Sequence, residues 1–270
     1  HLFQIGIGTV GSDLLKQIES QQEMLLKEHK LKINLVGLAN SKKMIFNEEG
    51  IDINNFREQL NESKTKSDIG LFVKKMSEMN LRNSVFIDCT ASKEISEKYK
   101  QVLNAYISVV AANKIACSSD YKHYEALKNL SIKKGKKFLY EANVGAGLPI
   151  IKTINDLIKS GDKILKLEAV LSGTLNFIFN TISENVPLSE AIRLAKEKGF
   201  SEPDPREDLC GIDVLRKLLI LARESGYKIE MNEIENIPFL PEKYLNTESL
   251  DEFWEQITAL DNDFEQRRKK

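Results

Sequence analysis

Strand-like and helix-like patterns alternate through the first half of the chain, a glycine triplet joins the first strand to the first helix, and short β-rich apolar runs recur between turns. These three observations predict an α/β protein built on a Rossmann-type parallel sheet, followed by a second, α+β domain. At 270 residues the chain is longer than the usual single domain. The boundary is placed near Glu141, giving domains 1–141 and 142–270.

Leu2-Phe3-Gln4-Ile5-Gly6 reads as the first strand. Leu14, Leu15, Ile18, Leu25 and Leu26 then recur at helical spacing, and Ile33 to Ala39 resumes a strand. The polar stretch Ser41 to Ser84 reads as an insertion with two short helices, around Phe56–Leu60 and Leu71–Met79. Val85 to Cys89, Ile107 to Ala111 and Lys137 to Tyr140 are expected as further buried strands. After Pro149 the reading is a helix to Lys159, a turn at Ser160-Gly161-Asp162, a strand from Leu167 to Leu171, and helices closed by Gly199 and Gly226.

Composition excludes several classes of function. The 39 basic residues balance the 40 acidic ones, so no nucleic-acid-binding field arises, and Arg267 to Lys270 reads as part of a solvated helix face. Cys89, Cys117 and Cys210 are too scattered for a disulfide framework. No apolar run spans a bilayer and no signal peptide opens the chain, so the cytoplasm is the expected compartment. The histidines His1, His29 and His123 fall in polar or terminal contexts and are assigned no metal.

Gly6-Ile7-Gly8-Thr9-Val10-Gly11 follows a strand and opens a helix, the setting in which a glycine pattern becomes a dinucleotide fingerprint. Gly6 serves the tight turn, Gly8 the approach of a pyrophosphate, and Gly11 the packing of helix on strand. The acidic residue that binds the ribose diol of NAD is absent from the end of the second strand. Asn40, Ser41, Lys42 and Lys43 stand there instead, which favours NADP(H) and leaves NAD(H) as the lesser alternative. Thr90, in Asp88-Cys89-Thr90-Ala91-Ser92, and Lys114, after Ala112-Asn113, lie at strand ends, where ligands of open α/β sheets bind.

Glu141 to Pro149 holds two glycines one residue apart before a helix-compatible proline. Spacing alone leaves it open as a second phosphate site, a hinge, or a carboxylate and carbonyl site for a hard cation. Glu202-Pro203-Asp204-Pro205-Arg206-Glu207-Asp208 reads as a rigid acidic loop whose prolines suppress helix before Leu209. The next helix is apolar on most faces and is expected to be buried, with Asp213 and Lys217 four apart on one side. Such a pair is often a structural ion pair. Here a partly desolvated lysine beside a dinucleotide fold suits proton donation to a carbonyl, and Glu202, Asp208 and Asp213 suit a substrate ammonium.

Together, Gly6 to Gly11, Asp88-Cys89-Thr90, Ala112-Asn113-Lys114, Asn143 to Pro149, Leu171-Ser172-Gly173-Thr174-Leu175 and the run Gly199 to Lys217 resemble the homoserine dehydrogenase family. Asn40-Ser41-Lys42 and the stretch after it look most like the form fused to an aspartate kinase. The resemblance implies interconversion of L-aspartate 4-semialdehyde and L-homoserine with a nicotinamide cofactor, on the route to threonine and methionine. It implies Lys217 as proton donor, with Lys114 its partner and Asp213 orienting it. Glu202, Asp208, Asp213 and Thr174 would hold substrate. Gly199 and Thr90 would lie against the nicotinamide, and Glu141 with the carbonyls of Val144, Ala146 and Leu148 would bind sodium. A homodimer, with the second domain serving substrate binding and dimerisation, is implied likewise. Family members run past the position of Lys270 and the fused form carries a kinase upstream, so the chain is expected to be part of a longer protein. The rival readings are another NAD(P)-dependent dehydrogenase and a cofactor-binding regulatory fragment without turnover.

Overall fold

In the computed structural model, which describes residues 1–269, the β-rich runs form one six-stranded sheet. The strands are β1 (Leu2–Ile5), β2 (Leu35–Ala39), β3 (Met44–Phe46), β4 (Val85–Asp88), β5 (Ser108–Ala111) and β6 (Phe138–Leu139). Their order is β3-β2-β1-β4-β5-β6, and every pairing is parallel except that of β3 with β2. Phe3, Gln4 and Ile5 are all buried, as a central strand covered on both faces requires. The chain order reverses direction across β1, so the carboxyl ends of β1 and β4 form the crevice where such sheets bind ligands.

The helices of this part are α1 (Thr9–His29), α2 (Phe56–Glu62), α3 (Ile69–Met79), α4 (Lys93–Ser96), α5 (Tyr99–Asn104), α6 (Ile115–Ser118) and α7 (Tyr121–Lys134). Leu15 and Ile18 of α1 pack with Leu35, Leu38, Phe56 and Leu60. On the other side, Phe72 of α3 meets Phe46 at 4.8 Å and Phe86 at 6.4 Å between ring centroids. The row continues through Tyr99 to Phe138. The stretch Ser41 to Ser84, read as an insertion, therefore belongs to the sheet and its covering layer. It supplies β3, which the sequence reading missed because three residues are too few for a periodic signal.

The chain divides into two units, His1 to Thr153 and Ile154 onward, and α8 (Ile150–Lys159) begins in one and ends in the other. The second unit holds α9 (Gly173–Thr181), α10 (Leu188–Glu197), α11 (Arg206–Leu209), α12 (Ile212–Glu224), α13 (Glu242–Leu245), α14 (Leu250–Ala259) and α15 (Asp261–Arg268). Leu188, Ala191, Ile192 and Ala195 form one stripe of α10 and pack on Ile178, Leu209, Phe253 and Ile257.

Three expectations are corrected here. Leu167 to Leu171 is not a strand: it has no ladder partner among the described residues, and Val170 is 76% exposed. Apolar runs mark a strand only where another strand pairs with them. The acidic proline loop contains α11, because Pro205 precedes the helix, where its fixed φ and missing N–H do no harm. α12 is amphipathic rather than wholly buried. Leu219, Ile220 and Leu221 are inside, whereas Ile212 is half exposed. No helix among the described residues is long and apolar enough to cross a membrane.

Candidate active site

β1 delivers the glycine loop to the carboxyl edge of the sheet. Gly6 has φ +95°, and a Cβ there would stand 2.6 Å from the carbonyl oxygen of Cys89 at the end of β4. A Cβ on Gly11 would stand 2.1 Å from the Gly6 carbonyl oxygen. Around Gly8 there is open space, and Gly8, Thr9 and Val10 are exposed. Among the described residues no side chain caps α1, and its first turn carries no acid, so its leading N–H groups and positive dipole end are open to an anion. This loop fits a pyrophosphate.

A cavity of about 580 Å³ opens beside it, lined by Gly6, Asn40, Ser41, Asp68, Phe72 and Thr90, among others. That volume suits a small-molecule site. Asn40 Oδ1 accepts from the backbone N–H of Lys42 and Lys43, both at 2.8 Å, which fixes the turn at the end of β2. Lys42 is exposed, while Lys43 Nζ donates to the Asn61 carbonyl. The sequence reading missed Asp68, whose Oδ1 caps α3 at Leu71 N, 2.8 Å away. It brings a carboxylate to the cavity wall from an element other than β2. Its only signal in sequence was a helix N-cap.

At the end of β4, Asp88 is fully buried and accepts from Thr90 N, Thr90 Oγ1, Tyr99 OH and Asn113 Nδ2 at 2.6–3.0 Å. Burial pushes its carboxyl up from the ordinary range, while these hydrogen bonds pull it back. Lys114 follows Asn113 at the start of α6, half buried.

In the second unit Lys217 Nζ lies 2.7 Å from Asp213 Oδ2 and donates to the Leu171 carbonyl at 2.8 Å. The lysine side chain is 18% exposed and the aspartate 48%, so the ammonium is partly desolvated beside a wet carboxylate. Thr174, near the start of α9, holds its hydroxyl 2.6 Å from the Phe200 carbonyl and 3.0 Å from Asp208 Oδ1. Asp208 Oδ2 accepts from Glu202 N at 2.8 Å. Lys217 and the acidic loop thus converge on the start of α9, bringing together five of the predicted residues. Asp208 is bonded within the loop it shapes, and Glu202 is exposed. Asp204 was not singled out. It is held by Arg206, which also donates to the Thr247 carbonyl at 2.8 Å and pulls the Asp204 carboxyl below its ordinary range. Gly199, at φ +70°, ends α10, with Phe200 N donating to the Ala195 carbonyl at 2.8 Å.

In the second glycine loop the Glu141 carboxylate accepts from Ile151 N and Lys152 N at 2.8 and 2.9 Å, capping α8. Val144 is buried, and Ala146 and Leu148 are exposed. Each Glu141 oxygen takes one donor, so the carboxylate keeps lone pairs beside the backbone carbonyls of the loop. No cluster of three His, Cys, Asp or Glu that could hold a metal occurs among the described residues.

The family model for the homoserine dehydrogenase NAD binding domain matches residues 6–141, and that for homoserine dehydrogenase matches residues 149–269. The bifunctional aspartokinase/homoserine dehydrogenase of Buchnera aphidicola is 43% identical over 270 residues, which are 100% of this chain and 33% of that protein. The chain therefore spans about a third of the length of the curated relatives it matches. A Candida auris protein of unknown function has a crystal structure similar at a TM-score of 0.86 and 30% identity, over 99% of this chain and 75% of that one. A hyperthermophilic archaeal homoserine dehydrogenase in complex with NADPH is similar at a TM-score of 0.69 and 27% identity, over 84% of this chain and 70% of that one. With both halves matched by models of one family, the chain belongs to the homoserine dehydrogenases.

Proposed function

We propose that this chain is the dehydrogenase part of a bifunctional aspartokinase/homoserine dehydrogenase and interconverts L-aspartate 4-semialdehyde and L-homoserine. Residues 1–141 would hold the cofactor and residues 142–270 the substrate and a homodimer contact. The observation that carries the proposal is the Lys217 ammonium, held by Asp213 and the Leu171 carbonyl next to the acidic loop.

A nicotinamide cofactor, when bound, would supply the hydride. Two N–H bonds of Lys217 are engaged by Asp213 and Leu171, and the third is assigned to the substrate carbonyl oxygen, to which it gives its proton as the alkoxide develops. Asp213 orients the ammonium, and Lys114 is proposed as a second lysine of the reaction. Thr174 and Asp208 shape the acidic loop, and Glu202 with Asp213 attracts the substrate ammonium. Gly6 to Gly11 would hold the pyrophosphate, Asn40, Ser41 and Lys42 the adenosine ribose, and Thr90 and Gly199 the nicotinamide end. Glu141, with the backbone carbonyls of Val144, Ala146 and Leu148, would hold sodium.

NADP(H) is favoured by Asn40 and the exposed Lys42. Asp68 supports a second reading, NAD(H), because its carboxylate lines the same cavity and suits a ribose diol. The test is nucleotide oxidation with aspartate semialdehyde by the wild type and Lys217→Ala, with binding of NADPH and NADH measured for both. Loss of turnover by about 10²- to 10⁴-fold with cofactor binding intact supports the dehydrogenase reading. Tight cofactor binding without turnover in the wild type would mean a regulatory fragment, and turnover of other substrates only would mean another dehydrogenase.

A further inference from the structure

Thr90 carries a hydroxyl with one hydrogen and two lone pairs. Its backbone N–H and its Oγ1 both lie against Asp88 Oδ1, at 2.8 and 2.7 Å. Its oxygen in turn accepts from Ser92 N at 3.1 Å. Both Asp88 oxygens take two donors each, because Oδ2 receives Tyr99 OH at 2.6 Å and Asn113 Nδ2 at 3.0 Å. Two of the four donors are N–H groups, which cannot reverse direction. A carboxylate surrounded in this way has no hydrogen to give, so the Thr90 hydroxyl hydrogen is committed inward. Thr90 lines the cavity, and one lone pair remains on its oxygen for a ligand there.

We propose that Asp88 is a positioning residue for the cofactor. By consuming the hydroxyl hydrogen of Thr90 it makes that side chain an acceptor only, one that takes a hydrogen bond from a donor on the nicotinamide half, a ribose hydroxyl or the carboxamide N–H. The placement follows from the sheet. β2 and β4 flank β1, so with the adenosine end over β2 the other nucleoside falls over the end of β4, where Thr90 stands. The same carboxylate also fixes Asn113, whose Nδ2 donates to the Ser92 carbonyl at 2.9 Å, so the loops after β4 and β5 are locked to each other. The proposal rests on the cofactor reading above.

The test compares Asp88→Asn, Thr90→Val, Thr90→Ser and Tyr99→Phe by NADPH affinity, read from fluorescence, alongside thermal midpoint. Asp88→Asn keeps the volume and places an amide among donors. Tyr99→Phe removes a bond from the far oxygen and leaves both Thr90 bonds in place. The expected result is a Kd raised about tenfold in Asp88→Asn and Thr90→Val, the cost of about one hydrogen bond. Thr90→Ser should stay within about twofold of the wild type, and so should Tyr99→Phe although it loses thermal stability. Affinity falling in step with thermal midpoint in all four variants would reduce Asp88 to a structural group and overturn the proposal. So would an unchanged Kd in a folded Asp88→Asn. A wild-type chain that binds neither nicotinamide nucleotide would overturn the cofactor reading, and this proposal with it.

Discussion

Gln4 Nε2 donates to the Gly11 carbonyl at 3.0 Å from inside the central strand, and also to the Gly6 carbonyl at 2.9 Å. One fully buried amide therefore staples both ends of the glycine loop to β1. Its oxygen has no partner among the described residues, so the amide is retained at some desolvation cost. Gln4→Leu fills a similar space without either bond. We expect a loss of about 1 kcal/mol in urea unfolding and weaker NADPH binding, because the loop that receives the pyrophosphate is no longer held. Unchanged affinity in the variant would mean that the loop keeps its shape without the staple.

Two glycines of the fingerprint, Gly11 and Gly8, separate folding from binding. Gly11→Ala forces a methyl against the Gly6 carbonyl and should destabilise the chain by about 1–3 kcal/mol. Gly8→Ala meets nothing within 4 Å, and its φ of −66° suits any residue. That variant should unfold at the wild-type midpoint and still lose cofactor affinity, since the methyl takes the room a pyrophosphate needs. Equal affinity in Gly8→Ala and wild type would place the pyrophosphate elsewhere.

Legibility in the sequence followed the range of each interaction. The glycine loop, the parallel strands and the Asp213–Lys217 pair were readable because each depends on residues close in sequence. β3 was not, because three residues are too few for a periodic signal, nor was the cavity-lining Asp68, whose meaning depends on meeting Asn40 and Ser41 in the fold. Leu167 to Leu171 shows the opposite failure, in which a strand-like run lacks a partner to pair with. Gln4 is a polar residue within an apolar strand, and its bonds to the Gly6 and Gly11 carbonyls explain it. In the proline loop, the rule that proline breaks helices was applied at a position where proline begins one.

Cys89 adjoins Asp88, and burial, reinforced by that charge, pushes its thiol up to about 11. At pH 8 only on the order of one molecule in a thousand would carry the thiolate, the form that reacts. Raising the pH ionises the group, so alkylation by iodoacetamide should be very slow at pH 8 and quicken about tenfold per pH unit toward 11. Mass spectrometry of the Cys89 peptide measures it. Rapid labelling of the folded chain at pH 8 would show the site to be more open, or the thiol more acidic, than the structure has it.

Glu141 distinguishes two uses of one carboxylate. Its oxygens accept from Ile151 and Lys152 at the start of α8, where the N–H groups have no partner within the helix. Removing such a cap costs about 1 kcal/mol, or roughly 2–4 °C in a chain of this size. Glu141→Ala should therefore lower the thermal midpoint by at least that amount in sodium and in potassium buffers alike, and Glu141→Gln, which keeps one acceptor, by less. A sodium ion held by backbone carbonyls of this loop alone would survive both substitutions, since they leave the main chain intact. If instead the midpoint of Glu141→Ala falls only in sodium, the carboxylate itself binds the cation and the capping role assigned here is wrong.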